Sequence, residues 1–81
     1  MDLKKLREDI DAIDTLISSL IEKRMELVEQ IAKIKKENNL PKEDLKREEE
    51  IINRLTLEHK KVEKEIKELY KVIFDLSKKR E

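Results

Sequence analysis

Between Leu3 and Ile34 the apolar residues fall at heptad steps: Leu3, Leu6, Ile10, Ile13, Ile17, Leu20, Leu27, Ile31 and Ile34. Arg24 occupies the one step that is not apolar. Alternating spacings of three and four put these positions on one stripe of a helix. The pattern predicts a first helix over about residues 3–38. Asp2 suits its N-cap, and Glu8 and Asp9 suit its early turns. Asn38, Asn39, Leu40 and Pro41 end it, because Asn accepts the left-handed backbone and Pro cannot continue a helix. The residue ahead of Pro41 is also biased towards extended geometry. Such a helix, roughly 36 residues long, rises about 54 Å.

A second helix is expected over about residues 44–58, with Asp44 as N-cap and Leu45, Ile51, Ile52 and Leu55 as its apolar positions. A third, over about residues 62–80, carries its own seam of Val62, Ile66, Leu69, Ile73 and Leu76. Thr56 to Lys61 holds neither Gly nor Pro, so the break between them rests on the phase of the apolar pattern and on β-branched Thr56. Propensity alone would permit a single rod. The expected fold is all-α: one very long N-terminal helix and two shorter ones, with residues 1–81 as a single domain. The first helix has more seam than a folded-back partner of about 15 residues can cover, so the chain is expected to self-associate. The strict heptad spacing fits two copies of this helix packed at a shallow angle.

Arg24 interrupts that seam. Burying an unpaired cation costs roughly several kcal/mol even after relaxation, so either an anionic partner or an anionic ligand is implied. Lys35 lies eleven residues on, which returns it to within about 20° of the same face, about 16 Å further along. Arg7 is about 25 Å from Arg24 along one helix, too far for both to grip one small molecule. Antiparallel pairing of two first helices around Leu20 changes this. Residue i then faces roughly residue 40 − i of the partner, and Arg7 comes level with Lys33, close to Lys35, forming two equivalent pockets. At the start of the second helix, Asp44, Leu45, Lys46, Arg47 and Glu48 put a cation, an anion and free backbone N–H groups at one helix N-terminus, a favourable place for an anion. Ser77 and Glu81 share a face of the third helix.

Composition narrows the function. Charged residues make up 49% of the chain, yet Lys+Arg and Asp+Glu are 20 each, so there is no basic excess for nucleic acid. Tyr70 and Phe74 are the only aromatics and build no base-stacking platform. There is no Cys, hence no disulfide and no thiol chemistry. No apolar run approaches the roughly 18 residues of a membrane span, and Met1 to Arg7 lacks the apolar core of a signal peptide. A cytoplasmic setting away from any membrane is the expectation. Thr56, not Glu, stands three residues before His59, so the Glu-x-x-His pattern of a metal-binding bundle is missing and no metal is expected.

Taken in order, the motifs are Leu6-Arg7, Ile10-Asp11-Ala12-Ile13-Asp14, Arg24-Met25, Lys35 with Pro41 six residues on, Asp44 to Glu50, and Ser77. In this arrangement the chain resembles the all-helical chorismate mutase family over nearly its whole length. The resemblance implies an intertwined antiparallel homodimer that converts chorismate to prephenate, towards phenylalanine and tyrosine, with no cofactor. By position, Arg24 and the partner chain's Arg7 would hold the substrate carboxylates. Lys35 would donate to the ether oxygen, Glu48 would bind the ring hydroxyl, Arg47 and the backbone near Asp44 would complete the wall, and Ser77 would touch a carboxylate. Arg24, Lys35 and Glu81 would be the catalytic groups.

One position departs from the family pattern. Where relatives usually carry Gln opposite the ether oxygen, this chain has Glu81, which donates a hydrogen bond only when protonated. A carboxylate at a helix C-terminus is disfavoured electrostatically, so its pKa is expected to rise. Two rival functions stand beside the mutase. An isochorismate-pyruvate lyase shares the fold, though its segment corresponding to Asp44–Glu48 looks different. A non-catalytic dimerisation module would use Arg24 only to set helix register.

Overall fold

The computed structural model describes residues 2–81. Three α-helices follow in order: α1 (Leu3–Glu37), α2 (Leu45–Glu58) and α3 (Glu63–Arg80), with a single 3-10 turn at Lys60–Val62 leading into α3. There is no strand among the described residues. α3 is the central element. It packs on both α2 and α1, which do not approach each other directly. No helix among the described residues is long and apolar enough to cross a membrane.

The helix ends follow from local chemistry. The Asp2 carboxylate accepts from the Lys4 N–H at 3.1 Å, and Asp44 accepts from the Arg47 N–H at 3.0 Å, each satisfying a donor that has no intrahelical partner. α1 stops at Glu37, with Asn38 as its C-cap. Asn39 follows in the left-handed region at φ 53°, the one positive φ among the described residues. The break after α2 falls later than Thr56. That residue stays helical, buried, with its hydroxyl donating back to the Ile52 carbonyl at 2.8 Å. The chain leaves helical geometry at His59, φ −131° and ψ 61°, and this bend lets α3 fold back on α2 around Ile51 and Phe74.

The heptad seam is not what the chain covers with its own helices. Leu20 is 63% exposed and Leu27 58%, and Ile31 and Ile34 are also exposed. The residues of α1 that α3 shields are Arg24, Met25, Val28, Ala32 and Lys35, half-buried on the adjoining face. On a helical projection these lie about 0–100° to one side of Arg24, while Leu27, Ile31 and Ile34 lie about 20–80° to the other. Arg24 therefore stands on the edge between a face packed within the chain and a bare apolar face. Every residue from Asp2 to Lys23 is exposed.

The molecule is long and thin, 55 × 24 × 16 Å, with a radius of gyration of 15.8 Å; a compact domain of this length has about 12 Å. Its accessible surface is 7240 Å². A compact monomer of this size exposes about 5,200 Å², roughly 2,000 Å² less.

Candidate functional site

Because α3 separates α1 from α2, a gap remains between those two helices, floored by α3. It forms an open cavity of about 460 Å³, within the range of about 300–1,000 Å³ typical of small-molecule sites. α1 contributes Arg24, Leu27, Val28, Ile31 and Lys35. The loop before α2 contributes Lys42 and Asp44, and α2 contributes Arg47, Glu48 and Ile51. α3 and its C-cap contribute Phe74, Ser77, Lys78 and Glu81. Apolar side chains thus line a pocket ringed by charge, with cations in the majority.

Arg24 has a partner, but not an anion. Its Nη1 donates to Ser77 Oγ at 2.8 Å. Its guanidinium carbon lies 5.9 Å from the ring centroids of both Tyr70 and Phe74, which pack edge to face at 5.7 Å. Ser77 in turn donates to the Ile73 carbonyl at 2.7 Å, leaving its oxygen free to accept from Arg24. No carboxylate forms an ion pair with Arg24 among the described residues. The guanidinium is held in a fixed pose by neutral groups, with its charge uncompensated and facing the cavity.

Lys35 is held from two sides. Its ammonium donates to the Lys42 carbonyl at 2.7 Å and pairs with Glu81 Oε1 at 2.9 Å. The Glu81 side chain is only 6% exposed, so the end of α3 is anchored in the cavity rather than frayed. At the other wall, Asp44 is occupied as the N-cap of α2, and Arg47 stands at the rim, largely exposed. Glu48 points inward, and its Oε2 pairs with Lys78 Nζ at 3.0 Å. Lys78 also pairs with Glu43 at 2.9 Å. These two carboxylates, Glu43 foremost, hold the Lys78 ammonium above the usual lysine range.

Seven of the eight residues singled out in the sequence meet in this cavity: Arg24, Lys35, Asp44, Arg47, Glu48, Ser77 and Glu81. Arg7 does not. It is exposed in the first turns of the bare half of α1, outside the cavity of its own chain. Sequence reasoning missed Lys42, Lys78, Ile51 and Phe74. Lys42 acts through its main-chain carbonyl, which side-chain patterns do not register. Lys78 meets Glu43 across 35 residues of sequence; its place directly after Ser77, one turn beyond Phe74, was the available hint. His59 caps α2 and is exposed, away from the cavity. Among the described residues no three His, Asp or Glu side chains converge as a metal ion would require.

The family described as chorismate mutase type II matches this chain over residues 6–81. The chain is also similar to a solved structure, that of a conserved hypothetical protein from Pyrococcus furiosus. The two are 46% identical, the match covers 96% of this chain and 92% of that one, and the TM-score is 0.82. None of the curated proteins compared with it matches.

Proposed function

This chain belongs to the chorismate mutase type II family, and we propose that it catalyses the rearrangement of chorismate to prephenate. The observation that carries the proposal is Arg24. It is an uncompensated guanidinium, oriented by Ser77 and two aromatic rings, in a cavity that also holds Lys35. The reaction is unimolecular. The ether C–O bond of chorismate breaks while a C–C bond forms, and negative charge develops on the ether oxygen. No nucleophile or proton shuttle is needed, so a protein accelerates it by holding the compact reactive conformer and by aiming fixed positive groups at the developing charge.

In this reading Arg24 binds one substrate carboxylate and Arg7 of a second copy binds the other. Lys35 donates to the ether oxygen, a preorganised contact worth roughly 3–4 kcal/mol by analogy with oxyanion holes. Glu81 faces the same oxygen and donates when protonated. Glu48 accepts from the ring hydroxyl, Arg47 and the backbone near Asp44 close the rim, and Ser77 steadies Arg24 beside the bound carboxylate. The second copy is proposed because the bare seam of α1 and the excess accessible surface both call for one, and because Arg7 lies too far along α1 to serve its own cavity. An antiparallel pair of α1 helices supplies both needs.

The test is a pair of spectrophotometric assays, one supplied with chorismate and one with isochorismate, in which prephenate is distinguished from pyruvate and salicylate. Prephenate as the product is the expected result. Pyruvate and salicylate from isochorismate would assign the lyase instead, and an inert protein would leave a helical dimerisation module.

A further inference from the structure

We infer that Lys78 is the positioning residue for Glu48: it takes one carboxylate oxygen of Glu48 and thereby aims the other at the ring hydroxyl of the substrate. The inference rests on the mutase reading above and adds to it a residue outside the motif that carries the family resemblance.

The geometry begins with Glu48. It lies in the first turn of α2, lines the cavity, and has a side chain 23% exposed. A carboxylate in that position rotates freely about its last torsion unless something fixes it. Lys78 Nζ reaches across from α3 and engages Oε2 at 3.0 Å. Lys78 is itself fixed, because Oε1 of Glu43, which does not line the cavity, accepts from the same ammonium at 2.9 Å. Glu43 thus restrains Lys78, and Lys78 restrains Glu48. No other cation pairs with Glu48 among the described residues, so Oε1 stays available as an acceptor. An acceptor with one oxygen committed and one free suits a single hydroxyl donor better than a second carboxylate. The arrangement therefore favours the hydroxylated ring end of the substrate at the α2 wall and leaves its carboxylates to Arg24. Removing Lys78 leaves Glu48 able to turn towards other cations of the pocket, Arg47 and Lys42 among them.

The role predicts behaviour that a simple tether between α3 and the α2 loop does not. Steady-state kinetics are measured for the unmutated protein, Lys78→Met, Lys78→Arg, Glu48→Gln and the Lys78→Met/Glu48→Gln double variant, with helicity and thermal midpoint recorded for each. Lys78→Met should lose about 10-fold or more in kcat/KM for chorismate, as expected for a hydrogen bond to a charged group, and Lys78→Arg should recover most of it. The double variant should be no worse than Glu48→Gln alone, because Lys78 acts through Glu48. With a chorismate analogue lacking the ring hydroxyl, Lys78→Met should cost little. Glu43→Gln removes the charge but keeps an acceptor that restrains Lys78, and should keep kcat/KM within about twofold of the unmutated value. An unmutated protein without mutase activity overturns both this inference and the reading beneath it. An active protein in which Lys78→Met leaves kcat/KM unchanged, or in which the two substitutions are additive, overturns this inference alone. If Lys78→Met does not fold, Glu43→Gln and Lys78→Arg decide: a loss in Glu43→Gln as large as in Glu48→Gln makes Lys78 a tether, and full activity in Lys78→Arg with none in Glu48→Gln supports positioning.

Discussion

At the scale of single residues, Arg24 shows how a side chain is held without being neutralised. The break in the seam was legible in the sequence, and so was the need for a compensating group. That the intrachain partners are a hydroxyl and two ring faces was not, because Ser77, Tyr70 and Phe74 meet Arg24 only when α3 folds back. These contacts offset part of the desolvation and leave the charge for a ligand. Arg24→Leu is therefore expected to raise the free energy of unfolding by about 1 kcal/mol or more while lowering chorismate turnover by about 100-fold or more. Denaturant midpoints and initial rates on the same preparations check both halves, and a less stable variant would contradict the account of Arg24. Glu81 is the second telling residue. Its carboxylate engages Lys35, the group proposed to serve the ether oxygen. A carboxylate only accepts, whereas an amide in its place donates to that oxygen, so Glu81→Gln should raise chorismate turnover by about 10-fold or more. Initial rates of the two proteins measure this, and equal turnover would exclude Glu81 from the chemistry.

At the scale of elements, the caps and the seam spacing located the helices, because both depend on neighbours in sequence. Of the two signals at the junction after α2, the phase of the apolar pattern and β-branched Thr56, the second did not mark the end: Thr56 stays helical and the bend comes at His59. Burial of Ile51 and Phe74 sets that bend, and burial is a property of two elements together. The same holds for Lys78, whose two carboxylate partners belong to the start of α2 and the loop before it. Its raised pKa has a direct consequence for how α3 is held. A lysine whose folded pKa exceeds its ordinary value of 10.5 contributes stability that is fully present below that value and is lost as pH rises through the folded pKa. Thermal midpoints should therefore fall above about pH 10.5 in the unmutated protein, and the Lys78→Met variant should lack this component of the fall. Circular dichroism melts across that range would show it.

At the scale of the whole molecule, one helix serves two structures. One face of α1 packs on α3, the edge that carries Arg24, Leu27 and Ile31 walls the cavity, and the rest of the bare seam is proposed to meet a second copy. The sequence announced the seam but not the offset between the two faces, since the heptad pattern alone does not say which stripe an internal helix will take. If pockets are shared between copies, defects in different places should complement. Arg7→Ala and Arg24→Ala, each expected to be nearly inactive, should regain about a quarter of normal activity when mixed and allowed to exchange. Half the dimers would then be mixed, each with one intact pocket. Size-exclusion profiles and rates of the mixture test this, and no recovery despite exchange would place Arg7 outside the site. The exposure of every residue from Asp2 to Lys23 has a further consequence for how this protein comes into being. A solitary helix of about 20 residues is marginal in water, so the first half of α1 owes its order to whatever lies against it. In the proposed dimer, folding and association become one event for that segment. Its backbone amides should exchange with solvent at a rate set by protein concentration, while those of α3 should be far less sensitive to dilution.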